Sequence, residues 1–240
     1  MKLFAVDRFA KEFLSVTTGY VDTNEVNQSV RGLGRIKNLN KPTAQYPTGR
    51  YLVGHVEVNQ QASTPFSRTK IHKGYVACEK EDLSEGDLIL DIQDNKYYLV
   101  MSIKHQALGA EVVYMDTTLY YCDVTLTIQR FEDSVRDTFG RVTNTAAVTL
   151  ASGVYAMCNP QNFDTIEQPD RTLAHDKVAV YLQSTFTCTT TSDSHAIGDV
   201  LSVQEKDRLI TNKGTAYIIN SIDTTSLNGI YICKVDTDVR

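Results

Sequence analysis

The chain repeats itself, and that restricts what it can fold into. Gly86-Asp87-Leu88, Tyr98-Leu99-Val100-Met101-Ser102-Ile103 and Tyr120-Tyr121-Cys122-Asp123-Val124 are echoed in the same order further on. The echoes are Gly198-Asp199-Val200, Tyr217-Ile218-Ile219-Asn220-Ser221-Ile222 and Tyr231-Ile232-Cys233-Lys234-Val235, with Cys78 and Cys188 extending the match leftward. Spacing between the blocks differs, as happens when strands are kept and loops drift. Tyr, Ile, Val and Leu suit a pleated, half-buried surface, and Gly-Asp is turn chemistry. The chain therefore reads as two copies of one small β module, with Tyr98 the counterpart of Tyr217 and Cys122 of Cys233. Duplication without a catalytic motif points to a structural or interaction protein.

The rest of the chain fits a mainly β protein. Strand-like runs cover Tyr51 to Val58, Ile71 to Cys78, Asp87 to Asp91, Tyr97 to Ile103, Val112 to Met115 and Leu119 to Phe131. Asp94-Asn95-Lys96 supplies a hairpin turn between the third and fourth of them. Short strands at this spacing predict two tandem barrel or sandwich modules. At the front, Val6, Phe9, Ala10, Phe13 and Leu14 share one stripe at helical spacing. A helix this short needs a docking surface to be stable. Residues 20–50 lack periodicity and collect Gly, Asn and Pro, which predicts a long loop arm ordered by partners. The expected division is 1–50 for helix and arm, 51–135 for the first β module, 136–176 for a linker region and 177–240 for the second.

Composition narrows the setting. No apolar run reaches the ~20 residues a membrane helix needs, and charge interrupts Met1 to Arg8 too early for a signal peptide. The expectation is a protein made and used, or assembled, inside a cell, with no membrane partner. The cysteine count of five is odd, and most sit in apolar blocks, which predicts buried free thiols. Net charge is −5, yet residues 24–73 hold eight Lys and Arg against two Glu, a balance of +6 that leaves −11 elsewhere. Arg31, Arg35, Lys37, Lys41 and Arg50 are the candidate interaction residues, facing nucleic acid or an acidic protein surface. A solvated loop without an electrostatic role is the other reading of the same charges.

Catalytic constellations are missing from the sequence. It has no P-loop, His-Glu-x-x-His, Gly-x-Ser-x-Gly or Cys-x-x-Cys. Gly32-Leu33-Gly34 lacks the third glycine of a dinucleotide site. Asp91 to Asn95 lacks the glycine and the closing glutamate of a calcium loop. His55, His72, His105, His175 and His195 are scattered rather than spaced as zinc ligands. The expectation is no enzyme, no cofactor and no metal.

The block Leu83 to Phe131 resembles small β proteins of tailed bacteriophages, nearest to the head–tail connector group of head-closure or stopper proteins. The resemblance implies a virion structural protein of the neck, connector or adjoining tail, assembled in the host cytoplasm. It further implies a barrel-like fold with long loops, a homo-oligomeric ring, and contacts with other phage structural proteins or the DNA backbone. Members are usually a single module, so the duplication here departs from the pattern, and no family residue carries over singly. A phage surface or baseplate module recognising a carbohydrate or partner protein is the alternative, and an enzyme of another type the third reading.

Overall fold

The computed structural model describes residues 35–42, 44, 47–58, 71–77, 81–108, 111–131, 147–160, 178–191 and 195–238. The chain divides into two compact units, Met1–Cys122 and Asp123–Arg240. Each contains a closed, antiparallel, six-stranded barrel. Among the described residues there is no α-helix; the helix expected near the start lies outside them, as do residues 20–34 of the expected arm.

The first barrel is built from β1 (Arg35–Asn38), β2 (Arg50–Val58), β3 (Ile71–Ala77), β4 (Leu88–Asp91), β5 (Lys96–Leu108) and β6 (Glu111–Tyr121). Their order around the barrel is β1-β2-β3-β6-β5-β4, closed by pairing of β4 with β1. Ile36, Leu52, Val76, Ile89, Tyr98, Val100, Met115 and Leu119 fill its core. They come from every strand, so the apolar face of each strand is covered by the others.

The second barrel uses β7 (Val124–Phe131), β8 (Ala147–Pro160), β9 (Val178–Gln183), β12 (Arg208–Thr211), β13 (Ala216–Asp223) and β14 (Ile230–Thr237). Its order is β7-β8-β9-β14-β13-β12, closed by β12 on β7. Substituting first strand for first strand, this is the same path as in the first barrel. One insertion distinguishes it: between β9 and β12 the chain forms a small two-stranded sheet, β10 (Phe186–Thr187) with β11 (Val200–Leu201). β7 shows why these segments become strands. Val124, Leu126 and Ile128 are buried while Thr125, Thr127 and Gln129 between them are part-exposed, the two-residue period of a sheet with one wet face.

Strand pairing fixes the equivalences residue by residue. Ile89 faces Tyr98 across β4–β5, and Leu209 faces Tyr217 across β12–β13. Tyr98 and Tyr217 are therefore counterparts, as the repeat predicts. Both following strands then carry a bulge at the same step, between Val100 and Ser102 and between Ile219 and Ser221. The echo Tyr98–Ile103 with Tyr217–Ile222 is thus a bulged strand kept twice, and the extra residue turns the strand more sharply round the barrel.

The other echoes are shifted. Leu119 pairs with Val100 as Val235 pairs with Ile219, which makes Thr117 the counterpart of Cys233 and Asp238 that of Cys122. Matching backbone bonds agree: Cys122 N–H donates to Tyr97 O at 2.9 Å, and Asp238 N–H to Ala216 O at 2.8 Å. The shared Tyr-x-Cys-x-Val spelling therefore sits five residues out of register. Volume explains what the fold needs there instead. In the first barrel Thr117 faces Gly74, and its hydroxyl donates to the Gly74 carbonyl at 2.9 Å; in the second, Cys233 faces Val180. A Cβ on Gly74 would come within 2.7 Å of Leu119 Cδ1, and the second barrel, which has Val180 in that place, has the shorter Val235 as the counterpart of Leu119. Cys78 lies outside the described residues, and Cys188 follows β10 in the insertion.

Two boundaries also move. β7 and β8 belong to the second barrel, so that barrel begins at Asp123, earlier than the division at 135, and part of the segment 136–176 is barrel strand. Likewise β1 falls within the expected arm, where Ile36 is fully buried and closes the first barrel. Residues 35–38 are ordered by their own barrel core.

Candidate functional site

The polar groups common to both barrels lie at the turn entering the fourth strand. Ser84 N–H donates to Asp87 Oδ2 at 2.8 Å, and Gln204 N–H to Asp207 Oδ2 at 2.8 Å. In each case the aspartate N–H returns to the first turn residue's carbonyl at 3.1 Å. The residue before the aspartate has positive φ, Gly86 at 86° and Lys206 at 73°. Lys206 bears the cost that glycine avoids. So the structural counterpart of Gly86-Asp87 is Lys206-Asp207, and Gly198-Asp199 is a further copy of the turn within the insertion.

Both carboxylates are buried and held from the first strand of their barrel. Asn38 Nδ2 donates to Asp87 Oδ2 at 2.7 Å and to the Asp82 carbonyl at 2.9 Å. Asp207 takes a bidentate guanidinium: Arg130 Nε to Oδ1 at 2.9 Å and Nη2 to Oδ2 at 2.8 Å. Arg130 Nη2 also donates to the Ser202 carbonyl at 3.0 Å. A bidentate, charge-assisted pair of this kind is geometrically demanding and strong. These groups lock the turn to the barrel wall. Their chemistry is spent on architecture.

The candidate interaction residues separate on this framework. Arg31 lies outside the described residues, and Arg35 pairs with Val53 at the start of β1. Lys37 is paired opposite Tyr51, its ammonium 5.3 Å from the ring centroid and 2.7 Å from Thr48 Oγ1. Arg50 pairs opposite Asn38 and forms an ion pair with buried Asp82, so its charge is held within the fold. Lys41 follows β1, half-buried. The structure thus brings Lys37 and Arg50 to one hairpin with different duties. Sequence reading passes over the aromatic companions: Tyr51, and His55 stacked on Tyr75 at 5.4 Å with Nε2 3.1 Å from Glu57 Oε1. The alternation Tyr51, Val53, His55, Glu57 was the available signal that these side chains share one face.

Nucleophile chemistry is not encouraged at two of the described thiols, Cys188 and Cys233. Cys122, Cys158, Cys188 and Cys233 are free. Burial pushes Cys233 up to about 12, with the charge of Asp207 adding, and burial also raises Cys188. Such thiols stay protonated and unreactive near neutrality. No group of three or more His, Cys, Asp or Glu converges to hold a metal among the described residues.

His72 is a buried titratable group of the first barrel. It lies edge-on to Tyr98 at 5.3 Å and to Tyr121 at 6.1 Å, and among the described residues no hydrogen-bond partner reaches Nδ1. Burial lowers its pKa below 6.5, and the positive charge of Lys96 lowers it further. The folded form therefore binds a proton less readily than the unfolded chain. The stability that neutral His72 confers is complete above about 6.5 and is lost as pH falls below that, through the lower pKa of the folded form. Val178 occupies the equivalent place in the second barrel. Hydrogen exchange at pH 7.5 and 5.0 should show β3, β5 and β6 losing protection on acidification, and His72→Phe should abolish that loss.

Searches against protein-family models, curated proteins and solved structures found no match to this chain.

Proposed function

We propose that this chain is a structural component of a tailed-bacteriophage virion, working in the neck, head–tail connector or adjoining tail by oligomeric assembly and docking. The observation that carries the reading is what the duplication preserved. Strand order, the bulge and the aspartate-locked turn are common to the two barrels, whereas the interior side chains differ freely. Selection of that kind keeps a backbone shape rather than a particular set of side chains. The uneven charge supports docking as well. The unit Met1–Cys122 has fourteen basic and fourteen acidic residues, and Asp123–Arg240 has ten against fifteen, so the whole net charge sits in the second.

Converting Arg31, Arg35, Lys37 and Lys41 together to Gln tests the electrostatic part of the reading. Arg50 is left alone because Asp82 depends on it. In an infected cell the variant is expected to lower the yield of complete particles and their DNA retention. Binding by the unaltered chain should weaken steeply with salt, since counterions compete for the same charges. Normal particles at normal yield would remove the role.

A further inference from the structure

The aspartate-locked turn occurs a third time, and there it is open. Ala196 N–H donates to Asp199 Oδ2 at 2.8 Å, and Asp199 N–H returns to the Ala196 carbonyl at 3.2 Å. Gly198 has φ 97°, the place of Gly86 and Lys206. Geometry and spacing therefore match the turns at Asp87 and Asp207. What differs is the surroundings. Asp87 is covered and takes Asn38, and Asp207 is covered and takes Arg130. Asp199 is exposed, and among the described residues no side chain from another strand donates to it. Beside it Ile197 is 68% exposed and Val200 66% exposed, the most exposed large hydrophobic side chains described.

We infer that the turn Ala196–Val200 is a docking knob for a second copy of this chain. A guanidinium from that copy's basic segment 24–73 would complete Asp199 as Arg130 completes Asp207, with Ile197 and Val200 packed beneath it. The inference rests on the assembly reading above. Three features carry it. The same turn twice receives a side-chain N–H donor from elsewhere in the chain, once a bidentate arginine. Two apolar side chains flank the open carboxylate, and an apolar pair around one ion pair is how interface anchors are commonly built. Finally, the turn belongs to the unit carrying the net negative charge, while the segment 24–73 carries +6, so contact between copies is electrostatically favoured where contact between like surfaces is not. Knob on one unit and acceptor on the other make the contact heterologous, which closes into a ring or runs on as a filament.

The test uses the full chain and two variants, Asp199→Asn and the double change Ile197→Ser with Val200→Ser. Asn keeps an oxygen for the Ala196 N–H, and the serines replace exposed side chains, so thermal unfolding should match the unaltered chain for both. Sedimentation equilibrium should show each variant raising the dissociation constant of self-association about tenfold or more, the effect expected of an anchor residue. A photo-crosslinking residue at position 197, in a mixture of isotopically labelled and unlabelled chains, should join to residues 24–73 of another molecule. An unaltered chain that oligomerises equally well with both variants overturns the knob and leaves the assembly reading standing. Crosslinks to a different segment overturn the basic partner, and an unaltered chain that is monomeric throughout overturns both.

Discussion

Asp207→Ala is expected to destabilise the second barrel by about 3–5 kcal/mol, the usual consequence of removing one partner from a buried ion pair. Asp207 is 2% exposed and the Arg130 side chain 15% exposed, so the guanidinium would stay in a poorly hydrated place without its bidentate carboxylate. The Gln204 N–H would lose its acceptor at the same stroke. A small domain is stable by only about 5–15 kcal/mol, so much of the reserve would go. Asp207→Asn, which keeps an acceptor for the turn, should lose less. Urea unfolding followed by circular dichroism, with hydrogen exchange to assign the loss to β7 and β12–β14, measures both. A loss below about 1 kcal/mol for the alanine variant would mean that the turn is not locked as described.

Ile128→Asn is expected to be comparably damaging, and it tests the equivalence of the barrels directly. Ile128 pairs with Leu209 as Asn38 pairs with Ile89, so one position holds a buried amide in the first barrel and a buried aliphatic side chain in the second. The asparagine of the first barrel is satisfied: besides its two donations, its Oδ1 accepts the Asn40 N–H at 3.0 Å. In the second barrel Arg130 already occupies the carboxylate that would receive the new amide. About 2 kcal/mol of apolar burial would be lost and about 1–3 kcal/mol added for an unsatisfied polar group, roughly 3–5 kcal/mol together. The reverse change, Asn38→Ile, should also destabilise, by stripping Asp87 of its donor. If both changes were neutral, the interiors would be less committed than their hydrogen bonds imply.

How much of this was legible in the sequence depended on whether local pattern and tertiary pairing agreed. β2 to β5 could be read from their apolar runs, and the hairpin at Asp94-Asn95 from its turn residues, with Asn95 at φ 53° as such a turn requires. The bulged strand was legible because it is spelled alike twice. Cys122 and Cys233 misled for the opposite reason: similar letters stand on equivalent strands in different registers, and only cross-strand pairing shows it. The junction between the units was hidden because Leu119 to Phe131 runs on without Gly or Pro, though its two halves join different barrels. β8 was hidden by a register shift near Ser152 and Gly153, where φ is 77°, which breaks the alternation of buried residues. The true partner of Gly86-Asp87 was obscured because Lys206 takes a backbone conformation that sequence reading reserves for glycine. At the candidate surface, Lys37 could be picked out by charge, but the commitment of Arg50 to Asp82 depends on a contact between residues far apart in the chain.

The central claim is that two like barrels are joined to build an assembly. Its most direct test is the native mass of the full chain, measured by sedimentation velocity and light scattering from low to high concentration in low salt. The account predicts a discrete species of three or more 26.8 kDa copies that dissociates as salt is raised. A single 26.8 kDa species at every concentration and salt would contradict it.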